Sequence, residues 1–223
     1  MGYPEKCDIC LNDRVLTRFG QRNLQLAVRP FHQVRDAKVM LVGLNPTLIR
    51  KEARVVLELD DAYSQICRFV AGDVLKPAGI DLNKHVYATN LVKCTFSKEP
   101  RIMSKEEAGK DGNEAVKRLL LPFFRNCRKY FEEEIGEISP KILIAFGEKT
   151  HKLITEEYGL TRQGVKKGMK NAFGNIDHIN LLGHDIAYVP CIRPVARRHT
   201  FFANSWEGFL KRLKETASEM LNS

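Results

Sequence analysis

The sequence predicts an α/β fold: a three-layer sandwich in which helices cover both faces of a central four-stranded parallel sheet. Two observations carry that expectation. Four short segments, KVMLVG (38–43), HVYATNLV (85–92), KILIAFG (141–147) and DIAYVPCI (185–192), are continuous apolar runs rich in β-branched residues. Strands buried on both faces read this way, whereas a half-exposed strand alternates. Helical patterns sit between the runs, which is the order of a doubly wound sheet.

The elements follow in order along the chain. The first strand ends at Gly43 and runs into Leu44-Asn45-Pro46-Thr47. A helix is predicted over 60–78, then the second strand. A long helical region covers 105–135; Pro122 is expected to break it, because a proline inside a helix removes a hydrogen bond and clashes with the preceding turn. Pro140 separates that region from the third strand. An amphipathic helix spans 148–158. The stretch 159–183 carries five glycines and several basic residues and reads as an exposed loop or hairpin. The last helix, 205–221, places Trp206, Phe209, Leu210 and Leu213 at i, i+3, i+4 and i+7, one apolar face.

With 223 residues, 43% hydrophobic and 28% charged, the chain can bury a large core, and one domain over 1–223 is the economical arrangement. Its 36 lysines and arginines against 27 acids give a net charge of +9, which favours a polyanionic partner. No apolar run approaches the ~18 residues of a membrane span, and MGYPEKCDIC has no signal-like core. A cytoplasmic monomer without membrane contact is the expectation.

In an open parallel sheet, ligands bind beyond the carboxyl ends of the strands. Those ends carry Gly43-Leu44-Asn45-Pro46, Asn90, Gly147 and Arg193-Pro194. If the four strands are parallel, two carboxamides and a guanidinium converge on one crevice. Such a site suits a neutral, hydrogen-bonding ligand attached to an anion.

The six cysteines divide by context. Cys7-Asp-Ile-Cys10 is a C-x2-C knuckle, whose short turn brings two thiolates onto one metal. A four-thiolate site needs a second pair, and Cys94 and Cys127, both beside basic residues, are the candidates. Cys67 and Cys191 lie in apolar segments and read as buried small hydrophobes. All-thiolate coordination leaves zinc and an iron-sulfur cluster both open.

Taken in order, VGLNPT, VYATNLVKC, PKILIAFGEKTHKLI and YVPCIRP resemble the uracil-DNA glycosylase superfamily. They are most similar to the iron-sulfur uracil-DNA glycosylases of bacteria and archaea, which share the N-terminal knuckle, the T-N-[VL]-V-K-C strand end and a fourth cysteine ahead of the third strand. The resemblance spans roughly Cys7 to Lys214. It implies a DNA-repair enzyme that hydrolyses the glycosidic bond of uracil in DNA, leaving an abasic site. It also implies that Cys7, Cys10, Cys94 and Cys127 hold a structural four-iron, four-sulfur cluster, with zinc as the alternative metal. The chain departs from that pattern in three places: a charged insertion at about 95–117, GLNPT where the iron-sulfur enzymes have G-E-A-P-G, and Arg193-Pro194-Val195 where H-P-S is common.

By that resemblance Asn90 recognises uracil. A carboxamide accepts from N3–H and donates to O4, and cytosine mismatches both positions. Asn45 matches the asparagine that positions water in other branches of the superfamily; an amide cannot abstract a proton, but orienting water suffices when a cation has already formed. Gly43, Leu44 and Pro46 shape the loop whose N–H groups face the base. Arg193 stands in the histidine position and brings permanent charge to the leaving anion or to a phosphate; His199 is the alternative for the missing histidine. Arg197 and Arg198 are expected on DNA phosphates, and Tyr63 on the face of the flipped base, with Phe69 as a nearby alternative. Two rivals stand beside this reading: a superfamily member that binds DNA or a damaged base without cleaving it, and a zinc-stabilised nucleic-acid-binding module.

Overall fold

The computed structural model describes residues 24–31, 36–45, 55–96 and 112–222, with backbone alone at 24–27, 95–96 and 112–119. The knuckle at 1–20 and most of the insertion at 95–117 lie outside the described residues.

The central sheet has five strands in the order β3-β2-β5-β7-β6: β2 is Val39–Gly43, β3 Val86–Asn90, β5 Ile142–Phe146, β6 Asp177–Leu181 and β7 His184–Cys191. The four predicted strands are β2, β3, β5 and β7, all parallel. The fifth, β6, pairs antiparallel with β7 across the turn at Leu182-Gly183. Its burial alternates, as a half-exposed edge strand requires, and its polar spelling DHINL hid it in the glycine-rich stretch. A second, two-stranded sheet joins β1 (Leu24–Ala27) to β4 (Cys94–Phe96).

Period-two geometry sends alternate residues of each strand to opposite faces. Val39, Leu41, Ile142, Ile144, Ala187 and Val189 pack against one helical layer, which includes Trp206, Phe209 and Leu213. Met40, Val42, Leu143, Ala145 and Tyr188 pack against the other, which includes Phe123, Phe131 and Ile154. That is the three-layer arrangement the apolar runs predict.

The helices are α1 (Gln65–Cys67), α2 (Leu82–His85), α3 (Gly112–Ile138), α4 (Glu148–Glu157), α5 (Met169–Ala172) and α6 (Thr200–Leu221). The Ser64 side chain caps α1 by accepting from the Cys67 N–H at 2.9 Å, so the helix starts after the Asp60-Asp61 turn. It continues as a π-helical segment, Arg68–Leu75.

Pro122 does not break its helix: α3 runs through it without interruption. An interior proline costs about 3 kcal/mol. Phe123, Phe124, Cys127, Phe131 and Ile135 on the same helix are fully buried, and burying each large apolar side chain returns about 1.5–3 kcal/mol. Packing outweighs the local penalty.

Candidate active site

The parallel register places the carboxyl ends of β2, β5 and β7 side by side, and a cavity of about 280 Å³ opens there. That is near the lower end of the ~300–1,000 Å³ range of small-molecule pockets. Its wall includes Gly43, Leu44 and Asn45 after β2, Gly147 after β5, and Arg193, Val195 and His199 after β7. The predicted convergence of Asn45 with Arg193 is therefore present, and His199 joins them. Pro46 lies outside the described residues.

Asn90, the last residue of β3, pairs in register with Gly43. It is 2% exposed, and neither its Oδ1 nor its Nδ2 has a hydrogen-bond partner among the described residues. A Cβ added at Gly43 would collide with Asn90 Oδ1 and come within 3.2 Å of Leu57 Cδ2. Glycine at 43 is thus required by close approach: it leaves room for the Asn90 carboxamide, which does not itself line the cavity but lies directly behind Gly43, which does. An unpaired buried amide costs about 1–3 kcal/mol. The fold carries that cost at one strand end, next to a cavity.

The segment around Asn90 is pinned on both sides. Leu91 N–H donates to Gly43 C=O and Val92 N–H to Leu44 C=O, each at 2.9 Å. Lys93 N–H donates to Cys127 Sγ at 3.5 Å, so α3 meets the chain one residue before Cys94. Cys94 and Cys127 are both buried. Cys7 and Cys10 lie outside the described residues, and among the described residues no group of three histidines, cysteines or acids is arranged to hold a metal. Cys67 and Cys191 are buried, as their apolar segments predict. Burial, then Asp61 and Asp60, pushes the Cys67 thiol up; burial alone pushes Cys191 up to about 12.

Gly147 turns the chain from β5 into α4 with φ 94°, a conformation that favours glycine. The Arg193 stem packs over it, 3.3 Å from where a Cβ would stand. The N-cap of α4 is Gly147, which has no side chain to cap with, and the first residues of the helix, Glu148, Lys149 and Thr150, line the cavity. No hydrogen bond or ion pair engages the Arg193 side chain among the described residues, and the residue is exposed. A permanent cation and the positive end of a helix therefore border the same cavity.

Three sequence assignments look different in three dimensions. Tyr63 is 89% exposed and lies outside the cavity lining. Phe69 belongs to the core, with its ring centroid 5.5 Å from that of Trp206. The cavity wall instead holds Leu57, in a short turn where both Leu57 (φ 58°) and Glu58 (φ 50°) adopt left-handed backbone. Such conformations cost non-glycine residues about 1–2 kcal/mol each. Nothing in VVLEL signals that turn. Arg197 is held by the protein itself: its guanidinium pairs with Asp73 at 2.7 Å and lies 4.5 Å from the Trp206 ring centroid. Arg198 is exposed and follows the cavity-lining Ala196 by two residues without lining the cavity itself. Met169 and Phe202 also line the cavity, unmarked by any motif.

A family model described as the uracil DNA glycosylase superfamily matches residues 30–214. Comparison with curated proteins gives no match.

Proposed function

The chain belongs to the uracil DNA glycosylase superfamily, and from that premise we propose that it hydrolyses the N-glycosidic bond of uracil in DNA, leaving an abasic site. The observation that carries this reading is Asn90: a buried carboxamide with neither Oδ1 nor Nδ2 partnered among the described residues, at the strand end directly behind Gly43 of the cavity wall. A uracil edge supplies the missing partners, with N3–H donating to Oδ1 and O4 accepting from Nδ2. Cytosine presents an acceptor and a donor at those positions and leaves both pairs mismatched, which costs more than a merely weaker contact.

The chemistry divides among the wall residues. The target nucleotide leaves the base stack to enter the cavity, since its reacting atoms are inaccessible inside a duplex. The sugar C1′–N1 bond breaks with its electron pair leaving on uracil, and water adds to C1′ while its proton passes to solvent or the departing base. Asn45 orients that water by hydrogen bonds. Arg193 and the N-terminus of α4 stabilise the uracil anion, an electrostatic contribution that is large where water is excluded. Arg198 supplies a sequence-independent contact to backbone phosphate.

In this reading Cys7, Cys10, Cys94 and Cys127 hold a four-iron, four-sulfur cluster. The contact from Lys93 N–H to Cys127 Sγ, which draws α3 against the residue preceding Cys94, supports the pairing of the third and fourth ligands. The cluster would tie the N-terminal knuckle to α3, and no catalytic step passes through it.

Single-lesion oligonucleotides containing uracil, hypoxanthine or a mismatched thymine test the proposal. Alkali-labile product is expected from the uracil substrate, lost in Asn45→Ala and altered in Asn90→Asp. Tight binding without product, at stoichiometric protein and low salt, would establish a non-cleaving member of the superfamily instead.

A further inference from the structure

Beneath the Asn90 strand end lies a charged cluster to which the proposed reaction assigns no part. Lys93 and Glu134 form an ion pair at 2.6 Å, with side chains 1% and 4% exposed. Lys93 Nζ also donates to Thr89 Oγ1 at 2.6 Å, and that hydroxyl donates to Glu134 Oε1 at 3.0 Å. The three side chains close a ring in which both carboxylate oxygens are used. The ring has no net charge.

Such a pair is not retained for stability. Desolvating two charges costs several kcal/mol each, and well-packed apolar replacements are often neutral or better. Its location supplies another reason. Thr89 and Lys93 flank the turn that carries Asn90, and Glu134 reaches them from α3. Main-chain bonds fix Leu91 to Gly43, Val92 to Leu44 and Lys93 to Cys127 Sγ. The ring fixes both ends of that turn through side chains. Among the described residues the Asn90 carboxamide has no hydrogen-bond partner, while the three N–H groups that follow it are all engaged. A recognition group must be held within a fraction of an ångström to discriminate by hydrogen bonding, and supporting contacts do this.

We propose that the Lys93–Glu134–Thr89 ring is a positioning device for Asn90, holding its carboxamide in register with the base edge and coupling base discrimination to α3. The proposal rests on the assignment of Asn90 to uracil recognition.

The test uses the full chain and measures affinity rather than turnover. Probes are oligonucleotides with one 2′-fluoro-2′-deoxyuridine or 2′-fluoro-2′-deoxycytidine, whose electron-withdrawing fluorine opposes formation of the sugar cation and so blocks cleavage. The Lys93→Met/Glu134→Leu pair removes both charges at similar volume. It is expected to lower the uracil-over-cytosine affinity ratio by about tenfold, leave affinity for undamaged DNA unchanged and leave the melting temperature unchanged or higher. Asn90→Ala is expected to abolish the ratio, and adding the paired change to it should do nothing more, the non-additivity expected of groups acting through one residue. Thr89→Val, which removes only the hydroxyl link, should lower the ratio about threefold and serves if the paired variant does not fold. A full ratio in the ring variants, with Asn90→Ala abolishing it, overturns the positioning role alone. An unchanged ratio in Asn90→Ala overturns the recognition role of Asn90 and the proposal with it.

Discussion

Replacing Asn90 with leucine should make the free protein more stable and, on the proposed function, far less active on uracil in DNA. The two side chains have nearly the same shape, so the substitution changes polarity and little else. In the free protein the carboxamide is buried without a hydrogen-bond partner among the described residues, a burden of about 1–3 kcal/mol that leucine removes. Trimming the high end for imperfect fit beside Gly43, the expected gain is about 1–2 kcal/mol. For a chain of this size each kcal/mol moves the midpoint by about 2–4 °C, so the melting temperature should rise by about 2–8 °C. On the proposed reading the same change deletes two hydrogen bonds to the base edge and leaves uracil N3–H and O4 unpaired, about 3 kcal/mol or more of transition-state stabilisation. That corresponds to a loss of at least ~100-fold in kcat/KM on a uracil oligonucleotide. Thermal unfolding and single-turnover cleavage of the same preparation decide the matter. A fall in melting temperature would show that the carboxamide is satisfied in the free protein, and activity within threefold of wild type would show that it does not read the base; either result refutes the reasoning.

Other consequences follow from the same coordinates. Gly43→Ala places a Cβ against Asn90 Oδ1 and Leu57 Cδ2; displacing the carboxamide should cut kcat/KM by at least ~10-fold while destabilising the fold by about 1–3 kcal/mol, as overpacking does, and denaturant melts beside kinetics check both. His151 is buried, with Nε2–H donating to the Lys166 carbonyl at 2.8 Å and Nδ1 facing the Tyr188 hydroxyl at 3.0 Å. Burial lowers its pKa below 6.5 in the folded state, so the unfolded chain takes up the proton first as pH falls, and stability should drop below about pH 6.5 by up to ~1.4 kcal/mol per pH unit. His151→Gln should flatten that slope in urea melts across pH 5–7. Arg198→Ala should weaken DNA binding and make the salt dependence shallower by about one phosphate contact, whereas Arg197→Ala, which breaks the pair with Asp73 and the contact with Trp206, should lower the melting temperature; anisotropy titrations at several salt concentrations separate the two. If the proposed cluster is present, the parent protein should contain about four irons per chain and Cys127→Ser should abolish their incorporation, read by metal analysis after anaerobic purification; one zinc and no iron in the parent protein would replace the cluster with zinc.

The four parallel strands were legible because buried strands announce themselves as unbroken apolar runs, and each sits within about two residues of its expected bounds. Edge strand β6 was not, since half its residues face solvent and its spelling is polar. Pro122 misled because local propensity carries no information about the apolar face that α3 buries. At the site, Asn45 and Arg193 could be placed from strand ends alone, because topology puts those ends together; Asn90 ends its strand behind Gly43 and is not among the residues lining the cavity, so only one of the two expected carboxamides stands in its wall. Leu57 could not, since its place in the cavity wall depends on a left-handed turn that no residue type in VVLEL requires. The Lys93–Glu134 ring was equally invisible: a lysine and a glutamate 41 residues apart read as solvated charges until the fold buries them together.

On the proposed function this cavity receives uracil from DNA and its residues cut the glycosidic bond. The most direct test of that function is the mass-spectrometric quantitation of free base released from a uracil-containing oligonucleotide by stoichiometric protein at low salt. One uracil per site is expected from the wild type and, over the same reaction time, about one per cent of that or less from Asn90→Leu. Bound oligonucleotide with no base released by the wild type would contradict the proposed function.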